Sequence, residues 1–170
     1  MENPYSAPRS EAPAEDAFVR SSRWVRHVGF LAAAQMVVGA LEALLGIAGT
    51  AMGVLIAVAV GRGVPGAAGV PPATLWMGAG FYLAIGLAGL ATGGLRIFAG
   101  IRNLKYRGRV LGIVALSLGL LTAVTVFCAP TSIALLIYGL IVYLDSDVAK
   151  AFDMGNQGLP PHEIRARLSA

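Results

Sequence analysis

Between His27 and Leu144 the chain carries a single acidic residue, Glu42; the other eight of its nine Asp and Glu residues lie in the two terminal segments. A lone carboxylate inside an apolar run has two uses. It can bind a proton or a cation, or it can be held protonated and hydrogen-bonded within a bundle, where it locks helix register. Gln35 lies seven residues before Glu42, and Tyr82, Thr122 and Thr125 offer hydroxyls at comparable depth on other runs. No second acid accompanies Glu42, which favours the register-locking role. Arg96 lies about one turn from the end of the second apolar run, close enough for its long side chain to snorkel to lipid headgroups. It would meet Glu42 only if the first run were displaced outward.

Other chemistries lack their residues. Cys128 is the only cysteine, so neither an intramolecular disulfide nor a multi-cysteine metal site can form. With nothing nearby to lower its pKa, it is expected to be an inert, small apolar residue. The two histidines, His27 and His162, flank the apolar runs at opposite ends, so haem and zinc ligation on facing helices is not expected. There is no phosphate-cradling Gly loop ending in Lys-Ser or Lys-Thr, no His-Glu-x-x-His, and no set from which a Ser–His–acid triad could assemble. The expectation is a protein that is not an enzyme and holds no cofactor and no metal.

The setting of these residues is lipid. Of 170 residues, 56% are hydrophobic and 13% charged, against about 25% charged in soluble domains. So few charges cannot cover a water-facing surface, whereas lipid tails solvate an apolar one. The formal net charge is +4, but Lys and Arg cluster beside the apolar runs. That placement suits acidic headgroups rather than nucleic acid.

Residues 1–16 are Pro-rich and polar and are expected to be a disordered leader. Residues 17–152 form the predicted membrane domain, with residues 17–27 as a basic, interfacial start and Trp24 at headgroup level. Its spans are 28–60, 74–100, 110–128 and 130–144, the last extended as an interfacial helix to residue 152. Residues 153–170 form a cytoplasmic tail, in which Ile164 and Leu168 are four apart and suited to rest on a membrane or a partner. The first span follows about 27 polar residues without a convincing cleavage site, so it is read as uncleaved. Its 33 residues reach roughly 50 Å, beyond the ~30 Å hydrocarbon core. It must tilt, project or break. The stretch GRGVPGAAGVPPA (61–73) is a loop. Runs this long and continuous are helices, because a lipid-exposed span must satisfy its own backbone.

Small and polar residues repeat along these spans. Gln35, Gly39, Glu42, Gly46, Gly49 and Gly53 are spaced 4, 3, 4, 3, 4, and so are Tyr82, Gly86, Gly89, Gly93, Arg96 and Gly100. Gly108, Gly112, Ala115, Gly119 and Thr122 keep the rhythm, and Ser132 and Gly139 are seven apart. A 3.5-residue period keeps one stripe on a left-handed partner, and small residues let helices approach in lipid. The predicted fold is therefore all-α: an integral membrane four-helix bundle, antiparallel and left-handed, with Gly-rich helix interfaces.

Orientation follows the basic residues. Arg20, Arg23 and Arg26 precede span one, and Arg102, Lys105, Arg107 and Arg109 join spans two and three; the loop between spans one and two has Arg62 alone. Both termini are then cytoplasmic, and the two basic groups meet lipid headgroups.

The stretch GRVLGIVALSLGLL, then CAP, then IALLIYGLIVYLDSDVAKAF resembles the closing hairpin of small uncharacterised bacterial four-span integral membrane proteins, and the leader NPYSAP resembles polar leaders of some bacterial membrane proteins. The resemblance implies a multi-pass protein of a bacterial inner membrane and carries no activity with it. The expected function is structural or interactive: an accessory subunit or self-associating bundle, partnered by lipids, by other membrane subunits or by itself, and not by nucleic acid. The alternative is a small transporter or channel using Glu42 as a proton or cation site.

Overall fold

The computed structural model describes residues 14–63, 70–123 and 129–169, with side chains for 24–63, 70–120 and 132–168. The described residues are all-helical, in six helices: α1 (Ala14–Gly61), α2 (Pro72–Leu104), α3 (Arg109–Ala123), α4 (Ala129–Leu144), α5 (Ser146–Asn156) and α6 (Pro161–Ser169). Thr125 and Cys128 lie outside the described residues, as do the side chains of Arg20, Arg23 and Thr122.

α1 is unbroken over 48 residues. No proline interrupts it, and Gly39, Gly46, Gly49 and Gly53 are packed against α2 rather than used as hinges. Proline instead marks where helix begins: Pro72 opens α2 after Pro71, and Pro161 opens α6. Two helices are long and apolar enough to cross a membrane, Trp24–Gly61 and Pro72–Leu104. Ser132–Leu144 with Ser146–Asn156 makes a third candidate if that bent pair is one span, and Arg109–Leu120 is a shorter apolar helix.

α1 and α2 form the most extensive pairing in the structure. They run antiparallel, as the descending order of partners shows. A Cβ placed on Gly39 would come 2.7 Å from the Gly93 carbonyl oxygen, one on Gly46 2.6 Å from the Leu90 nitrogen, and one on Gly53 2.8 Å from the Leu83 nitrogen. Facing them, Gly86 lies against Thr50, Gly93 against Ala43, and Gly100 against Ala32, whose carbonyl oxygen would be 2.8 Å from a Cβ. At each of these places one helix backbone lies where a side chain would otherwise be. α3 then runs back along α2, and α4 along α3, where Gly139 seats Leu116.

The expected interfacial extension of α4 is not continuous. The chain bends by 74° between α4 and α5, because Asp145 leaves the helical conformation (φ −61°, ψ 138°) to cap α5. Its Oδ1 accepts from the Asp147 and Val148 amides at 3.0 and 3.2 Å. α5 ends with Gly158 at φ 94°, where the Leu159 amide donates to Met154 and that of Gly158 to Gly155. This is a Schellman closure with Pro160 just beyond it.

α5 and α6 fold back on the first half of α1. Val25, Val28, Leu31, Tyr106, Tyr143, Val148, Phe152 and Ile164 share one buried cluster there. The Phe152 ring lies 5.9 Å from both Tyr106 and Tyr143, in tilted edge contacts. Within the 153–170 tail, Ile164 is fully buried in this cap. Elsewhere the surface is apolar, with Leu44, Leu45, Ile47, Leu55, Trp76, Met77 and Phe81 all exposed. Exposed apolar side chains in this number mark a surface for contact with a membrane or another protein.

Candidate functional site, a buried polar ladder

Five polar residues of the apolar helices, Gln35, Glu42, Arg96, Asn103 and Tyr143, meet in two layers. In the first, Gln35 on α1 donates from Nε2 to the Gly112 carbonyl at 3.3 Å and accepts at Oε1 from Asn103 Nδ2 at 3.2 Å. The same Asn103 nitrogen donates its other hydrogen to the Tyr143 hydroxyl at 2.6 Å. Four helices are tied at one level. Gln35, Asn103 and Tyr143 are all fully buried, and Asn103 Oδ1 has no partner among the described residues.

In the second layer, Arg96 Nη1 lies 2.9 Å from Glu42 Oε1. The contact is ionic, without the angle of a directed hydrogen bond. The arginine side chain is 1% exposed and the glutamate 17%. Gln35 and Glu42 are seven residues apart on α1, and so are Arg96 and Asn103 on α2. Because the helices run antiparallel, equal spacing brings both pairs into register together.

α3 takes part through absence of side chains. A Cβ on Gly112 would stand 2.6 Å from Asn103 Nδ2 and 2.7 Å from the Tyr143 hydroxyl oxygen, and one on Gly119 would fall on the Arg96 guanidinium. These two glycines, also seven apart, are sockets for polar side chains. Their role differs from that of the glycines where α1 meets α2.

Several sequence expectations change. Arg96 does not snorkel: it points inward and is buried against Glu42. The cause is helix length, since α2 continues to Leu104, setting Arg96 eight residues from its end instead of one turn. Tyr82 is not beside Glu42 either. Its backbone lies against Gly49, two turns farther along α1, and its half-exposed ring packs edge-on to Phe81 at 6.2 Å. Thr122 falls on α3, with its side chain outside the described residues. Asn103 was missed although it is the next position in the α2 rhythm, three beyond Gly100; ending the run at Gly100 hid it. Tyr143 had no such signal.

The basic residues divide by role. Arg109 Nε donates to the Tyr143 carbonyl at 2.6 Å, and Arg107 Nε to the Gly155 carbonyl at 3.1 Å. Each places a cation on the C-terminal turn of α4 or α5, where it opposes the helix dipole. Arg165 donates to the Tyr106 hydroxyl, which in turn donates to the Val25 carbonyl. Tyr106 itself sits at φ 51°, closing α2 where Gly is usual, since the Arg107 amide reaches Arg102 and its own amide reaches Asn103. Burial of the ring offsets that strained backbone. Arg26, Arg102 and Lys105 remain exposed. His27 Nδ1 is hydrogen-bonded to the Tyr138 hydroxyl, and its ring centre lies 5.4 Å from that of Trp24 in a tilted contact.

Among the described residues no group of three or more His, Cys, Asp or Glu is arranged to hold a metal ion. Comparison with protein-family models, with curated proteins and with solved structures returns no match.

Proposed function

We infer that the chain is an integral protein of a bacterial inner membrane with a structural or interactive role, an accessory subunit or self-associating bundle. In this reading α1 to α4 cross the membrane as an antiparallel, left-handed four-helix bundle with glycine-lined interfaces. Both termini, with the α5–α6 cap, lie in the cytoplasm. The observation that carries it is the pairing of Glu42 with Arg96. The one carboxylate that could serve transport is neutralised by a cation from the neighbouring helix, and the polar layer beside it is spent on helix-to-helix bonds. Orientation draws on Arg102, Lys105, Arg107 and Arg109 at one end of the hairpin, against Arg62 alone at the other.

The competing function is a small transporter or channel in which Glu42 binds a proton or cation. It draws on the 17% exposure of that side chain. The two are separated by reconstituting wild type and Glu42→Gln in liposomes and measuring proton and monovalent-cation flux together with thermal stability in detergent. The structural role requires no flux above protein-free liposomes from either chain and a large loss of stability in the variant. Wild-type flux that Glu42→Gln abolishes would overturn it.

A further inference from the structure

The last turns of α2 divide by face. Arg96, Ala99, Gly100 and Asn103 are buried, whereas Phe98, Ile101, Arg102 and Lys105, at positions i, i+3, i+4 and i+7, are exposed together. On this outer face the apolar pair comes first and the cationic pair follows toward the helix end. The Arg102 guanidinium carbon lies 5.7 Å from the centre of the Phe98 ring, a stacked arrangement that leaves the donor edge of the fork free. Its Nε stands beside Gly108, 3.7 Å from where a Cβ would be.

Among the described residues, the ion pairs Glu42–Arg96 and Asp147–Lys150 use neither Arg102 nor Lys105, the exposed cations of this corner. The other cations of the same loop, Arg107 and Arg109, are occupied by carbonyls. Capping of helix ends therefore accounts for those two and leaves the outer pair without a task.

We propose that this corner seats one anionic phospholipid, with its phosphodiester on Arg102 and Lys105 and an acyl chain along Phe98 and Ile101. The guanidinium fork matches phosphate oxygens, and the lysine adds a second point charge. The apolar floor directly below selects a lipid over a soluble anion of the same charge, and the two cations select an anionic headgroup over a zwitterionic one. The seat rests on the membrane reading given above.

The full-length protein is reconstituted in nanodiscs of equimolar phosphatidylcholine and phosphatidylglycerol, released into mild detergent, and the lipid retained per chain is read by native mass spectrometry. Wild type should retain phosphatidylglycerol preferentially. Each interfacial cation is worth a factor of about five, so Arg102→Gln with Lys105→Gln should lower that preference roughly twenty-five-fold. Arg62→Gln, at the far end of the α1–α2 hairpin, should keep it. Soluble glycerol phosphate should not displace the bound lipid. The proposal is overturned by wild type retaining both lipids alike, by a double variant that retains phosphatidylglycerol as wild type does, or by displacement with glycerol phosphate. A chain that is monodisperse without detergent and takes up neither lipid overturns the membrane reading itself.

Discussion

Arg96 and Glu42 depend on each other because neither charge is tolerable alone at that depth. Leaving one member of a buried pair unmatched costs about 3–5 kcal/mol, whereas replacing both by apolar residues of similar volume is often neutral. Glu42→Leu and Arg96→Met should therefore each lower unfolding free energy in detergent by about that amount. The double variant Glu42→Leu with Arg96→Met should recover most of the loss. Equal, additive losses in a double-mutant cycle would deny the coupling. Gly119 belongs to the same unit. Any side chain there displaces the guanidinium, so Gly119→Val should mimic Arg96→Met. At this scale the sequence was half legible. Gln35, Glu42 and Arg96 stood out as polar groups in apolar runs, but the pairing depended on the register in which α1 and α2 pack, which residue types do not state. Asn103 and Tyr143 were hidden because one lay past the assumed end of a run and the other reads as an ordinary interfacial tyrosine.

Between elements, glycine acts in two opposite ways, and substitution separates them. Gly46→Ala would drive a methyl group into the α2 backbone and should lower the melting temperature in detergent. Gly80, on the same pair of helices, has open space around it. Gly80→Ala should raise stability by about 0.5–1 kcal/mol through helix propensity alone. Thermal unfolding of the two variants side by side tests the packing, and a gain at both positions would contradict it. The seven-residue rhythm that singles out Gly46 is visible in sequence, since it follows from helix geometry. That Gly80 lies off the stripe is visible for the same reason. The α5–α6 cap was less legible. Ile164 and Leu168 read as an apolar pair in search of a surface, and only their packing with Val25, Val28 and Leu31 shows that the surface is α1. Ile164→Ala should cost about 2–5 kcal/mol, and limited proteolysis should then release the tail. Unchanged protease resistance would mean the tail contributes nothing to the cap.

At the scale of the whole molecule, two kinds of packing are joined end to end. The cap around Phe152 is dense and aromatic, like the core of a soluble domain. The hairpin beyond it exposes large aliphatic and aromatic side chains along its length, and both of its helices are long and apolar enough to cross a membrane. All-helical character and apolar spans were legible from composition and run length, because a bilayer admits few other structures. The existence of the cap was not, since its residues are ordinary in composition and acquire meaning only by contact with α1. The account rests on the membrane lying across the α1–α2 hairpin, with Arg62 on one side and Lys150 on the other. With Cys128→Ser as background, single cysteines at Arg62→Cys and Lys150→Cys can be probed in intact bacterial cells with a membrane-impermeant maleimide. Labelling of the first in intact cells, and of the second only after permeabilisation, is the expected result; equal accessibility of the two positions in intact cells would contradict it.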